Sequence, residues 1–166
     1  MKRLELLFLL LCSGICYAQQ ADTLLANRYY SVADSLRKAS NADSAIVYYT
    51  RASEMFGNTF KWQRQANCYN NISEIHYRGR RLSESLKAAE MALKISREKL
   101  GKENGEEAFA YFNIATAYYY SGEYVLSLNY FRKALPIQRK VVGDSHPTVA
   151  SAYNAVGYLY WKLGNL

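Results

Sequence analysis

The chain has 166 residues, half of them hydrophobic and 21% charged, with a formal net charge of +7. That balance excludes an intrinsically disordered polymer, and the presence of only 9 Gly and 2 Pro excludes a collagen-like or turn-rich chain. The surplus charge is dispersed, with Arg78, Arg80 and Arg81 as the one tight basic group, so no nucleic-acid partner is expected.

Lys2 and Arg3 precede an apolar stretch, residues 4–15, broken by Glu5. Cys16 and Ala18 then occupy the two positions at which a signal peptidase reads small residues. Residues 1–18 therefore read as a secretory signal peptide cut after Ala18, and the mature chain is expected to be periplasmic or secreted. The apolar stretch is too short to span a bilayer comfortably. A lipid anchor at Cys16 is disfavoured because Ile15 stands where a small residue is wanted. Cys12 and Cys16 leave with the signal, so Cys68 is alone and reads as a buried, inert thiol.

The rest of the chain alternates apolar helical periodicity with breakers. Residues 23–38 and 43–56 form a first helix pair, ended by Gly57-Asn58. A second pair covers 61–78 and 82–100, with Gly79 expected at its turn and Gly101 at its end. The third covers 106–120 and 123–142, with Ser121-Gly122 between them and Gly143 as the stop. Tyr111, Ile114, Ala115 and Tyr118 share one face of its first helix, and Leu128, Phe131, Ala134 and Leu135 share the inner face of its second. Asp144 or Ser145 is expected to cap a final helix, in whose first turn Pro147 fits. Small residues (Ala45, Ala52, Ala92, Ala115, Ala134, Gly157) are expected where helices cross closely. Pro136 lies inside a helix, removes one N–H donor and is expected to bend or loosen it.

The pairs are copies of one another. At an offset of 42 residues, segment 69–101 matches 111–143 at 11 of 33 positions, among them Tyr69/Tyr111, Ile72/Ile114, Ala92/Ala134, Arg97/Arg139 and Gly101/Gly143. Tyr153, Val156, Tyr160 and Gly164 begin a further copy. A fixed period of this length means stacked units instead of one closed core.

These units resemble tetratricopeptide repeats (TPRs): a small residue in the first helix, an aromatic one turn later, Gly at the turn and Ala twice in the second helix. The joint Gly143-Asp144-Ser145-His146-Pro147, followed by Tyr153-Asn154, is similar to that of the longer, 42-residue kinesin-light-chain-like and bacterial subtype. The resemblance implies an all-α TPR-type helical-hairpin solenoid, a right-handed superhelix, over residues 22–166. Its units would be about 22–57, 61–101, 105–143 and a partial 147–166. It further implies a concave groove, lined by first helices, that binds a partner peptide or domain. Carried onto this chain, the groove positions are Asn67, Asn70, Glu74, Tyr77 and Arg78; Phe109, Phe112, Thr116, Tyr119 and Tyr120; and Ser151, Asn154, Tyr158, Trp161 and Lys162. Asn70 and Asn154 would suit a bidentate clasp of a ligand backbone.

The residues themselves point the same way. The helix at 106–120 is apolar nearly all round, so packing one face on its pair-mate is expected to expose Phe109, Phe112 and Tyr119 as a binding surface. No catalytic residue, cofactor, metal or small-molecule substrate is expected. His76 falls on a packing face, His146 in a joint, and the adjacent Asp144, Ser145 and His146 cannot relay a proton. The chain is thus expected to be a non-catalytic protein-interaction scaffold. Its last helix is expected to leave Tyr158, Leu159 and Trp161 uncapped, open to self-association. The alternative, an association of the family, is the N-terminal sensor or scaffold part of a larger signalling protein or enzyme, with a histidine kinase or caspase-like peptidase domain downstream.

Overall fold

The computed structural model describes the backbone of residues 2–164 and the side chains of 19–164. The leader expected at 1–18 therefore lies outside the described side chains. Two compact units follow one another, residues 1–61 and 62–166, and the described residues contain helices and turns but no strand.

The first unit is the hairpin α1 (Lys2–Lys38) and α2 (Ala42–Asn58). Ala26 and Ala33 of α1 and Ala45 and Ala52 of α2 are wholly buried, so the two helices meet over methyl groups. Tyr49 and Phe56 fill the space beside them, with Tyr30 edge-on to both at 5.4 and 6.5 Å between ring centroids. The Tyr49 hydroxyl donates to Asp34 Oδ1 at 3.2 Å, tying the helices together near their turn.

The second unit holds α3 (Trp62–Arg78), α4 (Leu82–Ile95) continuing into a π-helical turn (Ser96–Leu100), α5 (Gly105–Ser121), α6 (Tyr124–Val142) and α7 (Pro147–Lys162). The repeat at 42 residues is visible as a repeated bond. Ser85 Oγ donates to the Ser73 carbonyl at 3.0 Å between α3 and α4, and Ser127 Oγ donates to the Ala115 carbonyl at 2.8 Å between α5 and α6. Ala92 and Ala134 are fully buried at the corresponding crossings. Gly157 departs from the expected pattern: it is exposed and a Cβ there would meet nothing within 4 Å. Cys68 is buried, and desolvation pushes its thiol up to about 12, consistent with an inert packing role.

Three hairpin turns, and the bend after α2, end in the same backbone device. In the turn after α3 the N–H of Arg81 reaches back to the His76 carbonyl at 2.9 Å, and in the turn after α5 that of Glu123 reaches Tyr118 at 3.0 Å. The left-handed residue is Gly122 in the second case, with φ of 84°. In the first it is Arg80, with φ of 61°, and not the Gly79 that the sequence pointed to. Ser40 and Phe60 take the same conformation, with φ of 60° and 59°.

The two longer joints use Gly101 and Gly143, both with φ of 83°. After Gly101, Asn104 caps α5 by accepting from the Glu107 N–H at 2.9 Å, while its amide donates to the Gly101 carbonyl at 2.7 Å. After Gly143 the cap of α7 is His146, whose ring nitrogen accepts from the Thr148 N–H at 3.3 Å, while Asp144 is engaged with Arg139. Neither Asp144 nor Ser145 makes the cap. Pro147 does occupy the first turn of α7. Pro136 is exposed, and α6 runs on past it to Val142, because only one donor is lost on the solvent side. The loosened stretch lies instead in the preceding unit, as the π-helical turn at Ser96–Leu100.

Candidate partner-binding site

The first helices of the second unit, α3, α5 and α7, carry a continuous aromatic strip. Tyr77 lies 6.1 Å from Tyr120, Tyr120 lies 5.4 Å from Tyr119, Tyr119 lies 5.7 Å from Tyr158, and Tyr158 lies 5.6 Å from Trp161, all between ring centroids. Trp161 is the most open of these rings at 57% exposure. A cation sits at each end: the Arg80 guanidinium 4.1 Å from the centre of Tyr120, and the Lys162 ammonium 5.5 and 5.2 Å from Tyr158 and Trp161. Arg78, also exposed, is held by Glu74 at 2.8 Å. Burial raises the Tyr77 phenol to about 12, and desolvation together with Tyr158 raises that of Tyr119.

The other expected groove residues are distributed differently. Phe112 is half-buried and turned edge-on to Phe131 at 5.4 Å; with Tyr119 it packs on the cluster of Ala115, Leu128, Phe131, Ala152 and Leu159. Leu159, expected to be open, is wholly buried. Phe109 is half-buried at the joint beside Thr148. Thr116 is half-buried, with its hydroxyl donating to the Phe112 carbonyl at 2.8 Å. Asn154 is exposed.

Asn70 is corrected by the structure. It is completely buried, and its amide donates to Glu106 Oε2 at 2.9 Å and to the Glu106 carbonyl at 3.1 Å. Asn67 is half-buried and donates to Glu106 Oε1 at 3.1 Å. Both amides are occupied by the neighbouring helix, so neither offers an open clasp to a ligand. Burial raises the Glu106 carboxyl above its ordinary range, and the Asn70 and Asn67 amides oppose that rise. Among the described residues no group of three or more His, Cys, Asp or Glu is placed to hold a metal ion.

The tetratricopeptide repeat model matches residues 64–140 and 106–166, which together cover more than half of the chain. The chain belongs to the tetratricopeptide repeat family. No curated protein matches it by sequence. Among solved structures, this TPR protein is similar to BtubC (BKLC) from P. vanneervenii, at 20% identity with a TM-score of 0.74 over 86% of this chain and 58% of that one. It is similar to a Rap protein complexed with Competence and Sporulation Factor, at 23% identity with a TM-score of 0.70 over 92% of this chain and 42% of that one. It is also similar to a candidate kinesin light chain from Podosopora anserina with nearly identical TPR-like repeats, at 14% identity with a TM-score of 0.69 over 86% and 68%. The chain thus spans 58% and 42% of the length of the first two. Identities this low carry the fold and no more.

Two participants in the TPR strip escaped the sequence reading. Arg80 read only as a member of the tight basic group, yet its side chain lies over the Tyr120 ring from a left-handed backbone position. Tyr124 opens α6 and lies 6.1 Å from Tyr119, although it belongs to a second helix. Only the position of Arg80, two residues past the end of α3 and aligned with Gly122, carried a signal: a left-handed residue that is not Gly.

Proposed function

We propose that this TPR protein is a non-catalytic interaction scaffold, exported after removal of residues 1–18, whose array of residues 22–166 binds a partner peptide or domain along the strip on α3, α5 and α7. The carrying observation is the row from Tyr77 to Trp161, crossing three first helices with Arg80 and Lys162 at its ends. Aromatic rings supply large contact areas at low entropic cost, and a cation at each end favours a ligand with acidic residues flanking an apolar centre. The Rap protein, solved as a complex, is an instance of this fold holding a partner.

Selection of a random peptide library on the purified protein tests the reading. Peptides with an apolar core and acidic flanks are expected to bind, and Tyr158→Ala combined with Trp161→Ala is expected to weaken them about a hundredfold, the range of a two-residue hot spot. Equal binding by the double variant, with unchanged far-UV circular dichroism, would remove the strip from the function. Export is tested separately by N-terminal sequencing of the mature chain, which should begin at Gln19.

A further inference from the structure

One face of α7 is open. Ala150, Tyr153, Asn154, Gly157, Tyr160 and Trp161 recur along it at helical spacing, all exposed except the half-buried Tyr160. Tyr153 stands at 47% exposure and Trp161 at 57%. On the two earlier first helices the same face is covered. The hydroxyls of Ser73 on α3 and Ser85 on α4 are paired at 2.9 Å, and the Ala115 carbonyl of α5 accepts from Ser127 of α6 at 2.8 Å. Gly157 stands 42 residues after Ala115, and a Cβ there would meet nothing within 4 Å. Ala108 and Tyr111, the counterparts of Ala150 and Tyr153, are only 2% and 8% exposed. The face of α7 therefore has the make-up of one that receives a helix, small at the crossing point with rings on either side.

Two features say which helix it fits. From Pro147 to Trp161 α7 carries no charged residue, so a copy of itself meets it without repulsion. The order of side chains is also self-complementary about Gly157, with Tyr153 and Asn154 before it and Tyr160 and Trp161 after it. An antiparallel pair whose two-fold axis passes Gly157 sets glycine on glycine, which lets the helix axes approach closely. Tyr153 then meets Tyr160 of the second copy and Asn154 meets its Trp161, each contact occurring twice by symmetry. Rings gain from such pairing, and the Asn154 side-chain oxygen accepts from an indole N–H that burial would otherwise leave unmet.

We propose that this face of α7 is a self-association surface, on which a second copy of the chain docks its own α7 antiparallel, crossing at Gly157. The proposal does not rest on the scaffold reading, and the surface shares only Trp161 with the aromatic strip. A dimer of this kind covers the open end of that strip.

A single helix face is smaller than the standard interface of about 800 Å² per partner, so the dimer is expected to form and dissociate with concentration. Sedimentation equilibrium of the full chain over a concentration series, with amide NMR shifts followed on dilution, tests it. The wild type should pass from monomer to dimer, with shifts at Ala150, Tyr153, Gly157 and Trp161. Gly157→Gln should weaken the dimer at least about tenfold, because two side chains are forced into the crossing. In the monomer that side chain enters open space and replaces a glycine within a helix, so the thermal midpoint should not fall and a lost dimer is not a lost fold. Tyr158→Ala, which removes a ring of the strip beside this face, should leave the dimer unchanged and so separate the two surfaces. A wild type that stays monomeric would overturn the proposal and leave the face to a helix of another protein. A dimer that survives Gly157→Gln, or dilution shifts confined to other helices, would overturn it as well.

Discussion

The Asn113 amide donates to the main-chain carbonyl of Asn70 at 2.9 Å, from one first helix to the one before it. Both residues are fully buried, and the Asn70 amide passes the connection on to Glu106 at the start of α5. Successive repeats are therefore joined by polar bonds as well as by packed methyl groups. Such a bond fixes the register of α5 along α3, which apolar contact alone does less sharply.

Removing that donor should be felt. Asn113→Ala deletes the bond and leaves a small void, with an expected cost of about 2 kcal/mol in urea unfolding. Asn113→Asp is expected to cost more, since it sets a carboxylate against two Asn70 oxygens in a buried place. A variant order in which Asp is better tolerated than Ala would show that the Asn113–Asn70 bond does not govern this contact.

The hairpins were legible in the sequence because their signals are local. Ala at the crossings, Gly at the start of each long joint and Tyr at helical spacing all follow from backbone geometry and volume. The aromatic residues of the strip were legible for the same reason, as an excess of rings on first helices. What stayed hidden depended on distances across the fold. Asn71 and Asn113 occupy equivalent positions, yet the Asn113 amide crosses to Asn70 while that of Asn71 donates to the Asn67 carbonyl of its own helix at 3.0 Å. Asn70 read as a clasp for a ligand because nothing in its neighbours announced that Glu106, 36 residues on, would take its amide. Arg80 was misread because Gly79, beside it, carried the stronger local propensity for a left-handed turn.

Glu106 gives a pH signature. Its carboxyl is raised by burial, with the Asn70 and Asn67 amides opposing. A carboxyl whose folded value is raised binds its proton more tightly when folded. Its contribution to stability is greatest below the unfolded value of about 4.3 and is lost as pH rises through the folded one. Glu106→Gln removes the ionisation and retains an amide oxygen for the two asparagines. The variant is expected to be more stable than the wild type at pH 7, with the gap closing by pH 4. A wild type that is the more stable at pH 7 would mean that the hydrogen-bonded anion outweighs its desolvation.

Arg80 separates backbone cost from side-chain gain. The residue holds φ of 61° and places its guanidinium 4.1 Å from the centre of Tyr120. Arg80→Ala keeps the unfavourable backbone and loses the ring contact, so a cost of about 1 kcal/mol is expected. Arg80→Gly loses the same contact but relieves the left-handed conformation, and should be about 1 kcal/mol more stable than the Ala variant. Thermal unfolding of the pair checks this; equal midpoints would show that the turn does not hold the left-handed form in solution.

Asp34 titrates with the opposite sign and in the other unit. Arg37 at 2.7 Å and Lys38 at 2.9 Å hold its carboxyl at about 2, well below the ordinary 3.8. A depressed folded value means that the anion is favoured by folding. The resulting stability is fully present above the unfolded value of about 3.9, and it is lost as pH falls from there through about 2. The two cations are partly solvated, Lys38 at 72% side-chain exposure, so screening keeps the effect near about 1 kcal/mol. Asp34→Asn should therefore be about 1 kcal/mol less stable than the wild type at pH 7 and indistinguishable from it near pH 2. The same comparison in 1 M salt should shrink the difference at pH 7, because exposed ion pairs are screened over about 3 Å at that ionic strength. A difference that persists undiminished at pH 2 would assign the role of Asp34 to its hydrogen bond from Tyr49, and not to its charge.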